Sequence, residues 1–182
     1  MDIQQTDFPG LLIVTPRVFS DERGFFKETF QQQRYQEAGI TEPFVQDNFS
    51  RSSQGILRGL HFQVHRPQAK LVFAVKGEIL DVCVDLRKKS PTFGKSFSII
   101  LTAENHRQLF VPAGFAHGFY VLSPQADFMY KCSDYYFPEY DRTLLWNDPA
   151  LGIDWPLTSE PILSEKDKKG LSLNESEVFE TL

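Results

Sequence analysis

Short apolar runs separated by turn residues dominate the chain. Leu11-Leu12-Ile13-Val14 ends at Thr15-Pro16. Leu71-Val72-Phe73-Ala74-Val75 stops at Lys76-Gly77-Glu78, and a second run follows from Ile79 to Leu86. That run alternates strictly. Leu80, Val82, Val84 and Leu86 share one face, and Asp81, Cys83 and Asp85 share the other, the period-2 signature of a strand. Further strands are predicted over residues 96–101, 108–111, 118–122 and 127–132, divided by turn clusters at the spacing of a β-sandwich or barrel. Helix signals are few. One helix is predicted from Phe30 to Ala38, stopped by Gly39. A shorter one starts near Ser164, with Ser164 as N-cap and Asp167 at the capping-box position. No repeat, low-complexity tract or linker appears, so a single all-β domain over residues 1–182 is expected. Its polar tail, from about residue 171, is expected to be loosely held.

Composition narrows the function classes. A chain of 182 residues with 41% hydrophobic content and 17 Phe can bury an aromatic-rich core. A net charge of −5 argues against non-specific nucleic-acid binding, while leaving room for a local basic pocket. Cys83 and Cys132 form no CxxC pair and lie in strand-like runs, so buried free thiols and a reducing, cytoplasmic setting are expected. The N-terminus carries an acid and no basic segment, unlike a signal peptide, and no apolar run reaches the roughly 18 residues of a membrane span.

Two segments carry the chemistry. Arg58-Gly59-Leu60-His61-Phe62-Gln63 puts a histidine inside a strand-like run, with Lys70 and Gly77 following. Pro112-Ala113-Gly114-Phe115-Ala116-His117 delivers a second histidine into an aromatic strand. Together they look like the two halves of a cupin barrel whose usual metal ligands are mostly replaced. Gln63 stands where a metal cupin has its second His, and Lys70 where it has Glu. A cation in place of the metal's carboxylate argues for proton chemistry without a metal.

The chain resembles the dTDP-4-dehydrorhamnose 3,5-epimerase family. The matching segments are Asp21 to Phe26, Val45-Gln46-Asp47-Asn48, Leu57 to Gln63, Lys70-Leu71-Val72, Asp81 to Arg87, Ser90 to Gly94, Val111 to Phe119, Leu145 to Asp148, and Leu163 to Asp167. They occur in order over nearly the whole chain. The resemblance implies a cupin-type jelly-roll β-barrel, a homodimer with N-terminal strand exchange, and no metal or redox cofactor. It implies a nucleotide-linked 4-keto-6-deoxy sugar as substrate.

Inverting a carbon next to a ketone needs a base, a stabiliser for the enolate oxygen, and an acid on the opposite face of the ring. The resemblance gives these roles to His61 as base with Asp167 as its partner, Lys70 as the oxyanion donor, and Tyr130 as the acid. Arg23 and Arg58 would hold the diphosphate through their guanidinium forks. Phe19, Phe26 and Glu28 resemble the family's base pocket, contributed across the dimer. Gln46 and Asn48 would face the sugar or phosphates. Lys166 is a further substrate-binding candidate. His117 is expected to bond within the barrel or to the sugar, and Tyr136 to stack on the base, sharing the strand parity of Tyr130.

Geometry adds three expectations. Arg58 and His61, three apart, reach one cavity only if a bulge sits at Gly59. Asp81 could pair with Lys70. Phe73, where family members often carry Arg, should face away from Lys70, and Ala69 replaces a frequent Gly. The alternatives are a 3-epimerase or other deoxysugar-nucleotide isomerase, a metal-dependent cupin using His61, Gln63 and His117, and a non-catalytic sugar-nucleotide binding module. Such a module would have no need of His61, Lys70, Tyr130 and Asp167 together.

Overall fold

The structure is a computed structural model and describes residues 1–181. Among the described residues, thirteen strands make up most of the regular secondary structure. A six-stranded sheet has the order β1 (Asp2–Gln5), β2 (Leu12–Thr15), β10 (Gln108–Val111), β7 (Lys70–Lys76), β12 (Gln125–Cys132), β5 (Gln46–Ser53). A five-stranded sheet has the order β13 (Asp141–Thr143), β6 (Leu57–Gln63), β11 (Phe115–Val121), β8 (Glu78–Asp85), β9 (Ser96–Thr102). The pairings within both sheets are antiparallel, and the two sheets face each other as a jelly-roll barrel. The remaining strands, β3 (Val18–Asp21) and β4 (Gly24–Lys27), form a separate hairpin.

Three apolar layers hold the fold. Leu11, Val72, Ala74, Cys83, Leu109, Phe119 and Phe128 fill the barrel between the sheets. Leu12, Val14, Leu71 and Phe110 face outward and are covered by Tyr35 of helix α1 (Gln32–Glu37) and by Ile40. Leu80, Val82, Val84 and Leu86 also face outward, under a cover that includes Leu144, Leu151 and Phe179. The alternation read along β8 is therefore real, but its all-apolar face lies under the C-terminal segment. Asp81, Cys83 and Asp85 are fully buried on the other side.

This cover explains the tail. Within residues 172–181 the chain docks through Phe179 instead of lying loose. Phe179 donates its N–H to Leu86 O, accepts from Lys88 N, and packs edge-on against Phe62. Burying a Phe contributes about 2–3 kcal/mol, enough to hold a short polar strap. The helix predicted at Phe30–Ala38 forms as the shorter Gln32–Glu37, with Gln31 as N-cap accepting from Arg34 N. Gly39 stands just past its end at φ +91°, the left-handed position that favours glycine. Both cysteines are buried and unpaired. Among the described residues no helix is long and apolar enough to cross a membrane.

Candidate active site

The site is built where β6 crosses the barrel mouth. His61 pairs with His117 of β11, whereas Arg58 pairs with Phe119, so β6 spends one more residue than β11 over this stretch. That is the expected bulge, and it lets Arg58 and His61 line the same cavity. Two glycines permit it. A Cβ on Gly118 would lie 2.4 Å from Arg58 O, and one on Gly59, whose φ is +118°, would lie 2.6 Å from the Gly118 Cα. Only backbone fits between these strands.

The cavity has a volume of about 500 Å³ and is lined by Asn48, Arg58, His61, Lys70, His117, Tyr130 and Asp167, with Leu57, Phe119 and Phe128 as an apolar wall. An adjoining recess of about 280 Å³ shares His61, Lys70 and Tyr130 and adds Gln46, Tyr136, Asp141 and Lys166.

His61 and Asp167 touch, with Nε2 2.5 Å from Oδ1. Asp167 is 2% exposed and sits at the start of a 3-10 turn, Asp167–Lys169. Burial alone would raise its carboxyl, but bonds from His61, from Ser164 Oγ at 2.8 Å and from the Gly59 backbone outweigh this and hold it below the usual carboxylate range. Ser164 Oγ also accepts the Asp167 N–H, but the expected cap does not form: the turn begins later, at Asp167 with Lys166 in its N-cap position, and Ser164 serves the carboxylate instead. An ionised carboxylate only accepts, so Nε2 of His61 carries the proton and Nδ1 keeps the lone pair. Burial pulls His61 below the ordinary imidazole value, and Lys166 and Lys70 add to that, against the opposing bond and charge of Asp167. The imidazole is thereby kept neutral and able to accept a proton.

Lys70 is the most unusual group. It makes no hydrogen bond and no ion pair among the described residues, although burial lowers its pKa. Its Nζ lies 6.0 Å from the centre of the Tyr130 ring. Asp81 does not take it, contrary to the expected pairing. Both Asp81 oxygens instead contact His117 Nε2, at 3.0 and 2.9 Å, because β8 and β11 are neighbours and Lys70 comes from the opposite sheet. Tyr130, raised to about 12 chiefly by burial, keeps its phenolic proton at neutral pH.

Asn48, Gln46 and Tyr136 are linked: Gln46 donates to Asn48 Oδ1 at 3.1 Å and accepts from Tyr136 N at 3.0 Å. Tyr136 reaches the recess from a loop, since β12 ends at Cys132; strand parity with Tyr130 does not apply to it. Its hydroxyl donates to Asp141 Oδ2 at 2.9 Å, and Lys166 pairs with the same oxygen. Asp141 was missed in the sequence because it lies in the three-residue β13, which has no apolar alternation to reveal it. Gln63 donates to Arg66 O and Tyr135 O and accepts from Phe137 N, so its amide is already engaged in pinning a loop.

Arg23, Phe19, Phe26 and Glu28 do not reach the cavity of their own chain. Arg23, with its side chain 85% exposed, pairs with Asp21 at the hairpin tip, and Glu28 pairs with Arg34. Phe19 and Phe26 are 50% and 68% exposed. Phe73 packs on the outer face of its sheet, cross-strand from Met129 and away from Lys70.

The model of the dTDP-4-dehydrorhamnose 3,5-epimerase family matches residues 5–175. The chain belongs to this family. It is 53% identical over 172 residues to the dTDP-4-dehydrorhamnose 3,5-epimerase of Pseudomonas aeruginosa, covering 94% of this chain and 95% of the relative. Among solved structures, a dTDP-6-deoxy-D-glucose-3,5-epimerase from Legionella pneumophila in complex with dTDP-4-keto-L-rhamnose superposes with a TM-score of 0.94. It is 53% identical over 97% of this chain and 94% of its own. A 3'-monoepimerase from Streptomyces bikiniensis in complex with dTDP-quinovose gives 0.87 at 34% identity, over 93% of this chain and 86% of its own. The family members share the cupin-like barrel, and the epimerase reading of the sequence agrees with them.

Proposed function

We propose that the protein inverts C3 and C5 of a dTDP-linked 4-keto-6-deoxy-D-glucose, a step in dTDP-L-rhamnose synthesis. The observation that carries this reading is Lys70, a half-buried cation with no hydrogen-bond or ion-pair partner among the described residues, on one cavity with the His61–Asp167 pair and Tyr130. His61 takes the proton from the carbon beside the ketone, and Asp167 steadies the resulting imidazolium. Lys70 donates to the C4 oxygen as charge gathers there. Such a donor is worth about 2.7–4 kcal/mol in a water-poor site. Tyr130 returns a proton from the other face of the ring, and the raised phenol suits a group that must hold its proton until then. Gln46, Asn48, His117, Tyr136 and Lys166 orient the sugar, and Arg58 grips the diphosphate.

Arg23, Phe19, Phe26 and Glu28 complete the nucleotide pocket from a second copy, in a homodimer with exchanged N-terminal strands. The support is the exposure of Arg23, Phe19 and Phe26 on a separate hairpin, together with exposed Phe49 and Val75 on the outer face of the six-stranded sheet. Two buried free thiols agree with a cytoplasmic enzyme.

The deciding experiment is NMR of dTDP-4-keto-6-deoxyglucose with the protein in D2O. Deuterium at C3 and C5 with conversion to the L-lyxo sugar is expected. Label at C3 alone would assign a monoepimerase, and label at neither carbon would overturn the reading.

A further inference from the structure

Arg58 is oriented by a neutral group. Its Nε–H donates to Ser52 Oγ at 3.0 Å, and its two terminal nitrogens make no hydrogen bond among the described residues. Ser52 is 3% exposed and lies on the barrel-facing side of β5, in the six-stranded sheet, while Arg58 belongs to β6 in the other sheet. The bond therefore staples the two sheets together beside the cavity.

Every other arginine that engages its Nε–H does so differently. Arg23, Arg51, Arg66, Arg87 and Arg142 all donate it to a carboxylate. A carboxylate fixes a guanidinium but also cancels its charge and, in the first four, takes a terminal nitrogen as well. A serine hydroxyl fixes the same edge and leaves the charge and the far edge free. Because the guanidinium is planar, holding Nε sets the direction of the terminal N–H groups.

We infer that Ser52 is a positioning residue for substrate binding, which aims the uncompensated end of Arg58 at the diphosphate of the nucleotide. This rests on the proposed role of Arg58 and adds a residue to it. Ser52 does not line the cavity and touches no substrate; it acts through Arg58 alone.

The test compares wild type with Ser52→Ala, Ser52→Thr, Arg58→Ala and the Ser52→Ala/Arg58→Ala double variant. It reads kcat and KM for dTDP-4-keto-6-deoxyglucose, the inhibition constant of dTDP, and Tm. Ser52→Ala is expected to raise KM and weaken dTDP about tenfold, a typical effect of losing one hydrogen bond to a charged group, with kcat within about twofold. Ser52→Thr, which keeps the hydroxyl, should restore both constants. In the Arg58→Ala background, Ser52→Ala should add nothing. If Arg58→Ala weakens dTDP and Ser52→Ala does not, the inference falls while the role of Arg58 stands. If neither does, the role of Arg58 falls too. Equal losses from Ser52→Ala with and without Arg58, or a drop in kcat that tracks Tm, would make Ser52 a structural residue only and overturn the inference.

Discussion

The barrel interior and the β3–β4 hairpin make opposite use of their polar and apolar residues. Inside the barrel, buried polar groups are matched: Asp81 with His117, Asp167 with His61 and Ser164, and Asp85 with Arg87, Ser90 and Thr92. Lys70 stands out against that background. On the hairpin, Phe19, Phe25 and Phe26 lie largely in solvent, and the strands pair only with each other. A half-buried unmatched charge and an exposed aromatic cluster are both incomplete, but in different ways. The first awaits a small polar atom, and the second awaits a surface. In the proposed reading, the barrel holds the bond-making groups and the hairpin holds recognition groups, which do not line the cavity of their own chain.

Three measurements test that contrast. The largest effect belongs to the barrel. His61→Ala should lower solvent deuterium exchange at the reacting carbons on the order of 10³-fold while dTDP binding, followed by calorimetry, survives. Near-normal exchange would move the base elsewhere.

The hairpin should give a smaller effect of another kind. Arg23→Ala is expected to raise KM about tenfold at nearly constant kcat, as loss of one diphosphate contact would. Mixed dimers of an Arg23→Ala chain with a His61→Ala chain decide where that contact acts. If the hairpin crosses to the partner, one site per mixed dimer has both groups, and a wild-type KM returns. If it serves its own chain, no wild-type KM is recovered.

The smallest effect is in pH. Burial, the first cause, places His61 below 6.5 despite Asp167, so the base stays neutral to lower pH than a free imidazole would. The acid limb of kcat/KM should have its midpoint below 6.5. A midpoint above that value would mean the carboxylate outweighs burial.

The same contrast explains what could be read from the sequence. Strands β7, β8, β10, β11 and β12 announce themselves through apolar runs or alternation because at least one of their faces meets an apolar layer. Strand β5, read as Gln-Asp-Asn-Phe-Ser-Arg-Ser-Ser, has no such signal. Its inward face is polar because it borders the site, so function erased the pattern that marks a strand. In β8 the pattern was visible but its direction was not. Nothing local says that a docked C-terminal strap will cover the apolar face. The contact between His61 and Asp167 came from the family resemblance, since spacing along a chain cannot bring such distant residues together. The bulge at Gly59 was legible because two residues wanted on one wall stood at an odd separation.

The long loop closed by the His61–Asp167 pair, 106 residues in sequence, also bears on how the molecule is made. A chain still emerging from the ribosome carries His61 and the bulge at Gly59 long before Asp167. Until residue 167 docks, no carboxylate fixes the tautomer of His61. In the proposed mechanism, a product terminated before residue 167 would carry its base without the carboxylate that orients it, and would also lack the Phe179 strap that covers β8.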